Sequence, residues 1–171
     1  MARRTFLFDF IPNKAVCLEI GVWEGTFTKQ IIRKSNPTEL HLVDPWIFQK
    51  EMKKYFDGQE SLELMYERIL KRFGNRDFIH IHRCLSEQLA SKIPDKYFDW
   101  IYIDGDHSFE GLYSDLTNYY TKVKKGGLVI GDDYGGKSKG VKKAVDKFCM
   151  ERDIDFEYRK KQFWFEVKHD L

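Results

Sequence analysis

Carboxylates stand at the ends of the apolar runs in this chain, and Asp104, Asp132 and Asp133 are the most suggestive of them. Each follows a short apolar run, Trp100–Ile103 or Leu128–Ile130. If those runs are neighbouring strands, the three carboxylates converge within about one strand spacing, roughly 5 Å. Their mutual repulsion calls for a cation. An all-oxygen set suits Mg²⁺ or Mn²⁺ in catalysis; the alternative is that Asp132 and Asp133 form a turn and a helix cap. His107 follows Asp104 at the start of a helical pattern. The positive end of a helix disfavours an imidazolium, so His107 is expected to be a neutral base for a substrate hydroxyl, or else a cap or an adenine contact.

A second constellation lies nearer the amino end. Val16–Ile20 is an apolar run that leads through Glu19 and Gly21 to Gly25 and a helical pattern. Such a strand-to-helix turn is a nucleotide-binding element, with glycine where backbone and ligand approach closely. A dinucleotide fingerprint needs glycine where this chain has Trp23, because the pyrophosphate sits on the helix amino end there. An indole at that point leaves room for a nucleoside with an amino-acid tail, which favours S-adenosylmethionine over NAD. Asp44, after the run Leu40–Val43, suits a bidentate grip on ribose hydroxyls or an Asx turn. Trp46 is placed to stack on adenine or to fill the core, and Ser86 to contact the base or cap the next helix.

The elements that position these groups follow from periodicity. Apolar runs at Val16–Ile20, Leu40–Val43, Phe78–His82, Trp100–Ile103 and Leu128–Ile130 alternate with helical patterns, which defines a doubly wound, Rossmann-like, mostly parallel α/β sheet. Phe109, Leu112, Leu116, Tyr119, Tyr120 and Val123 keep helical spacing behind Ser108 as cap, as do Val141, Ala144, Val145, Phe148 and Cys149. Asp155–Lys160 and Phe163–Val167 read as a C-terminal antiparallel hairpin turning near Lys161-Gln162. The long connection after Asp44 predicts a helical insertion at about 46–75, with helices over Phe48–Phe56 and Leu62–Phe73 and a break at Asp57-Gly58. His41, His80 and His82 sit on the polar faces of their strands.

The 171 residues form one domain, 42% hydrophobic and 16% aromatic, enough for a sizeable core. A net charge of +2 without a basic stripe argues against nucleic acid. The run Lys137–Lys143 is either a solvated helix start or a surface favouring an anionic acceptor. Cys17, Cys84 and Cys149 lack metal spacing and fit reduced thiols. With no membrane-length apolar run or secretion signal, a cytoplasmic protein is expected.

The chain resembles class I S-adenosylmethionine-dependent methyltransferases, in particular the small family that includes macrocin-type sugar O-methyltransferases. The matching stretches are Leu18-Glu-Ile-Gly-Val-Trp-Glu-Gly-Thr-Phe-Thr28, Leu42-Val-Asp-Pro-Trp46, Asp99-Trp-Ile-Tyr-Ile-Asp-Gly-Asp-His-Ser-Phe-Glu-Gly111, Asp115-Leu116 and Gly126-Gly-Leu-Val-Ile-Gly-Asp-Asp-Tyr134, in family order. The resemblance implies a seven-stranded sheet whose last hairpin supplies the antiparallel strand. The expected cofactor contacts are Glu19, Gly21, Val22, Trp23, Gly25, Asp44, Pro45, Trp46, Leu85, Ser86 and Asp104. The resemblance also implies Mg²⁺ at Asp104, Asp132 and Asp133, His107 as base, and Asp106 as a second candidate base. The implied acceptor is a hydroxyl of a sugar or other small molecule. Those relatives have a longer amino-terminal region, so the acceptor pocket here is expected from the insertion, the loop after Tyr134 or another subunit. Phe6, Phe8 and Phe10 suggest apolar surface that a homo-oligomer covers, or that packs on its own domain.

Overall fold

A computed structural model describes residues 4–47, 59–136 and 139–168. Its sheet has seven strands: β1 (Val16–Ile20), β2 (Glu39–Val43), β3 (Ile79–His82), β4 (Phe98–Ile103), β5 (Val123–Gly131), β6 (Glu157–Arg159) and β7 (Gln162–Glu166). Their spatial order is β3-β2-β1-β4-β5-β7-β6. β7 runs antiparallel to both neighbours and the other pairings are parallel. The order reverses between β1 and β4, so their carboxyl ends open the crevice in which such sheets bind ligands.

Helices cover both faces. α1 (Thr26–Ser35), α2 (Gln59–Phe73) and a 3₁₀ turn (Thr5–Asp9) pack on the face carrying Cys17, Leu40, Trp100 and Tyr102. α3 (Ser86–Ala90), α4 (Phe109–Tyr120) and α5 (Lys139–Glu151) cover the other, where Leu18, Ile101 and Val129 are buried. Successive strand residues alternate between these two cores, as the pleat requires. Leu62, Met65, Ile69 and Phe73 form the buried stripe of α2, as their spacing predicts. The expected helix over 48–56 lies outside the described residues.

Two local readings are corrected. Val123 begins β5 rather than ending α4, because the chain re-enters the sheet through the polar Lys124-Lys125. The hairpin turns at Lys160-Lys161, both with positive φ (51° and 68°), while Gln162 is already in β7 and fully buried. That is a two-residue turn with the twist a hairpin needs, made without the usual Asn-Gly signal. Phe6 and Phe10 pack on Trp164, and Phe8 on Phe27. The amino-terminal aromatics thus pack on their own domain, one of the two alternatives, with Phe10 still 38% exposed. No described helix is long and apolar enough to cross a membrane.

Candidate active site

A cavity of about 460 Å³ opens at the carboxyl ends of β1, β2 and β4, within the usual range for small-ligand sites. Gly21, Trp23, Asp44, Pro45 and Trp46 form one wall. Leu85 and Ser86 at the start of α3, Asp104 and Asp106 after β4, and Asp115 on α4 form the others. Gly21 has φ +85°, and a Cβ there would lie 2.1 Å from the carbonyl oxygen of Asp104. Only glycine lets the two strand ends meet this closely.

Asp44 organises the wall. Its Oδ2 accepts the amides of Val22 and Trp23, each at 3.0 Å, and its Oδ1 accepts the amide of Trp46 at 2.8 Å. The Trp46 indole donates in turn to the Trp23 carbonyl at 3.2 Å. The carboxylate therefore ties the β1 turn to the β2 turn. Both lone pairs of Oδ2 are engaged, so Asp44 as folded has a lone pair left for a ligand hydroxyl at Oδ1 and not at both oxygens, as the expected bidentate grip requires. Burial raises the Asp44 pKa, and the three amides oppose that rise. Trp23 and Trp46 both adopt left-handed backbone, φ 55° and 43°, a costly conformation for a bulky residue that tends to persist where a site requires it. Trp46 is 2% exposed and rests on Tyr66, making it a core residue that shows the cavity one edge. Trp23 is 39% exposed and lines the opening.

Several expected contacts lie elsewhere. Val22 is buried and supplies only its amide. Gly25 caps α1 in left-handed geometry, and a Cβ there would strike Phe73 and Ile69 of α2. Glu19 points into the core beneath the turn and accepts a 2.6 Å hydrogen bond from Thr28. Burial pushes its carboxyl up to about 8, against the Thr28 bond. Because the fold favours the protonated form, stability present below the ordinary pKa of 4.5 is lost as pH rises towards about 8. The loss amounts to at most about 5 kcal/mol. Glu19→Gln keeps an acceptor for Thr28, so its urea midpoint is expected to stay flat between pH 6 and 9 while the wild type falls. Parallel curves for the two proteins would show that ionised Glu19 is tolerated without cost.

Ser86 does not cap α3. Its hydroxyl donates to Asp115, and its carbonyl accepts from Tyr119 at 2.7 Å. Asp115 is buried in the cavity wall, and burial raises its carboxyl to about 6 despite the Ser86 bond. Sequence reasoning missed Asp115 as a site residue, although an acid between Leu112 and Leu116 on an apolar helix face was the available signal.

The acidic cluster also differs from expectation. Arg4 Nη2 lies 2.8 Å from Asp104 Oδ2 and also pairs with Asp132 Oδ2. Gln162 and the Asp133 amide donate to the other oxygen of Asp132, and Tyr102 donates to Gln162 at 2.7 Å. Asp133 turns away, towards His107 (3.7 Å) and Lys161 (3.9 Å). Two carboxylates therefore share one cation point, and the three do not form a single ligand cluster. Among the described residues, the one group that gathers three such ligand atoms is Glu39, His41 and His80. Neither Arg4 nor Gln162 carried a local sequence signal.

His107 lies beside the cavity, its side chain 40% exposed, with Nε2 3.3 Å from Asp104 Oδ1. The expectation that the helix end disfavours its protonated form is corrected. The hydrogen bond to Asp104, with the charges of Asp104, Asp133 and Asp132, raises its pKa despite burial. These charges outweigh the helix end, which Ser108 caps by accepting the Gly111 amide. Asp106 is exposed at the cavity mouth and accepts from the Ser108 amide and hydroxyl at 2.8 and 2.9 Å. In the described part of Lys137–Lys143, Lys142 pairs with Asp146 on α5, as a solvated helix start does.

The sheet order, the crevice position and the glycine turn define a class I methyltransferase architecture. A family profile described as a methyltransferase domain matches residues 18–134. The chain belongs to that family, in the class I S-adenosylmethionine-dependent group. It is 28% identical over 128 residues to the uncharacterized protein R132 of Acanthamoeba polyphaga mimivirus, covering 73% of this chain. The chain spans about half, 54%, of that curated relative's length. Among solved structures it is similar to the O-methyltransferase NovP (TM-score 0.66, 20% identity, 98% of this chain and 76% of NovP). It is also similar to the CurJ carbon methyltransferase (TM-score 0.64, 14% identity, 95% and 51%). At these identities the likeness establishes the fold; the neighbours themselves differ in acceptor atom.

Proposed function

We propose that the protein moves the methyl group of S-adenosylmethionine to a hydroxyl oxygen of a sugar or other small acceptor. The observation that carries this reading is the wall in which Asp44 ties the Gly21 turn to Trp46, opening beside the His107–Asp104 pair. Asp44 Oδ1 takes a ribose hydroxyl. Asp115 and Ser86 face the base. Trp23 fills the place where a pyrophosphate would otherwise lie.

Transfer breaks the sulfonium S–C bond, forms an O–C bond and releases the hydroxyl proton. The protein's work is to align the acceptor and take that proton. His107 suits the task. With Nε2–H directed at Asp104, Nδ1 receives the proton, and the imidazolium then lies between the Asp104 and Asp133 carboxylates. An oxygen acceptor needs this proton sink, and NovP is by name an O-methyltransferase.

The donor set at Asp104 and Asp132 also fits a divalent cation, since the Arg4 guanidinium already stands there as a cation between two hard oxygens. Bound Mg²⁺ or Mn²⁺ would lower the pKa of the acceptor hydroxyl. Gln162 holds the Asp132 carboxylate in orientation for either cation. The test is methyl-labelled S-adenosylmethionine offered with a panel of sugar and polyol acceptors. Label should enter an acceptor, rise with Mg²⁺, fall with EDTA and return with Mg²⁺. Arg4→Ala should lower the Mg²⁺ concentration needed. A rate indifferent to Mg²⁺ and EDTA would make Arg4 the resident counterion and end the metal reading.

A further inference from the structure

We propose that Glu39, His41 and His80 form a binding site for one zinc-class divalent transition-metal ion on the β2–β3 edge of the sheet. The backbone places them together: His41 and His80 are direct partners in the parallel pairing, and Glu39 shares the face of His41 by the two-residue period. His41 Nε2 lies 2.8 Å and His80 Nε2 3.3 Å from the same oxygen, Glu39 Oε1. The three ligand atoms lie within 4.8 Å of one another. A tetrahedral zinc ion with bonds near 2.0–2.1 Å separates its ligand atoms by about 3.3 Å, so the side chains need move little.

The donor chemistry selects the metal. Two imidazoles and a carboxylate suit Zn²⁺, Ni²⁺ or Cu²⁺, whereas Mg²⁺ prefers all-oxygen sites. The next layer is also in place. His41 Nδ1 lies 3.0 Å from His82 Nε2, and Tyr97 donates to Glu39 Oε1 at 2.6 Å. The His41–His82 contact is satisfied in either tautomer: when Nε2 of His41 gives its proton up to metal, Nδ1–H donates to His82. Tyr97 donates to Glu39 Oε1, and the Nε2 atoms of His41 and His80 converge on that same oxygen, so three polar side chains already meet at the point where an ion would sit. His80, with 44% of its side chain exposed, gives an ion access, while His41 at 8% anchors the site.

None of these residues lines the cavity of the candidate active site, so this inference stands apart from the proposed transfer. An ion here would pin the edge strand β3 to β2. The test is a calorimetric titration of tag-free, EDTA-treated protein with ZnCl₂, followed by Co²⁺ absorption. One ion per chain is expected, with a d–d spectrum of low-coordinate Co²⁺ and unchanged S-adenosylhomocysteine affinity. The exposed His80→Ala should weaken Zn²⁺ at least tenfold without unfolding, while His107→Ala and Cys84→Ala leave it unchanged. No Zn²⁺ binding, wild-type binding by His80→Ala, loss of binding by His107→Ala, or competition with S-adenosylhomocysteine would each overturn the proposal.

Discussion

Replacing His107 with alanine is expected to lower methyl transfer by about 10²–10⁴-fold, the range for loss of a general base. Affinity for S-adenosylhomocysteine should stay within about twofold, since His107 does not line the cavity. The pH profile gives a sharper test. A base works in its neutral form, and Asp104, with Asp133 and Asp132, raises the His107 pKa above its ordinary 6.5. Turnover should therefore climb with pH through an inflection above 6.5. Asp133→Asn removes one of the raising charges and should move that inflection to lower pH. Asparagine tolerates the left-handed backbone at this position (φ 61°), so the variant should fold. Full turnover by His107→Ala would pass the role to Asp106, and an inflection unmoved by Asp133→Asn would detach it from this imidazole.

The second large effect concerns Asp44. Asp44→Ala should weaken S-adenosylhomocysteine by about tenfold to a hundredfold, the equivalent of a charge-assisted hydrogen bond of about 1.5–3 kcal/mol. The same change frees the amides of Val22, Trp23 and Trp46, so the turn should loosen too. Asp44→Asn separates the effects in part, because its amide oxygen can still accept the Val22 and Trp23 amides, while its NH2 cannot accept from Trp46 and the charge is gone. An intermediate affinity is expected for Asn. Equal affinities in wild type, Asn and Ala would show that Asp44 only builds the turn.

Sequence alone revealed the parts governed by local rules. Short apolar runs marked β1 and β2, which are buried on both faces, period-3.6 burial marked α2, α4 and α5, and the doubly wound pattern placed Gly21, Asp44 and Asp104 at one end of the sheet. It failed where a partner lies far along the chain. Arg4 meets Asp132, and Gln162 meets the same carboxylate, only after the first turn and the last hairpin fold onto the sheet. Nothing local distinguishes that arginine from an ordinary surface charge. The sign of the His107 shift was misjudged because the helix end is visible in the sequence, whereas the hydrogen bond to Asp104 and the nearness of Asp133 depend on how the loop after β4 folds. The hairpin turn was displaced by one residue because two lysines occupy left-handed positions that usually signal glycine or asparagine.

The central claim is that this crevice is an S-adenosylmethionine site rather than a dinucleotide site. The most direct measurement is calorimetric titration of the wild-type protein with S-adenosylhomocysteine and, separately, with NAD⁺. Single-site binding of S-adenosylhomocysteine and no heat from NAD⁺ are expected, because Trp23 takes the sequence position at which a dinucleotide turn needs glycine. Binding of NAD⁺ with none of S-adenosylhomocysteine would contradict it.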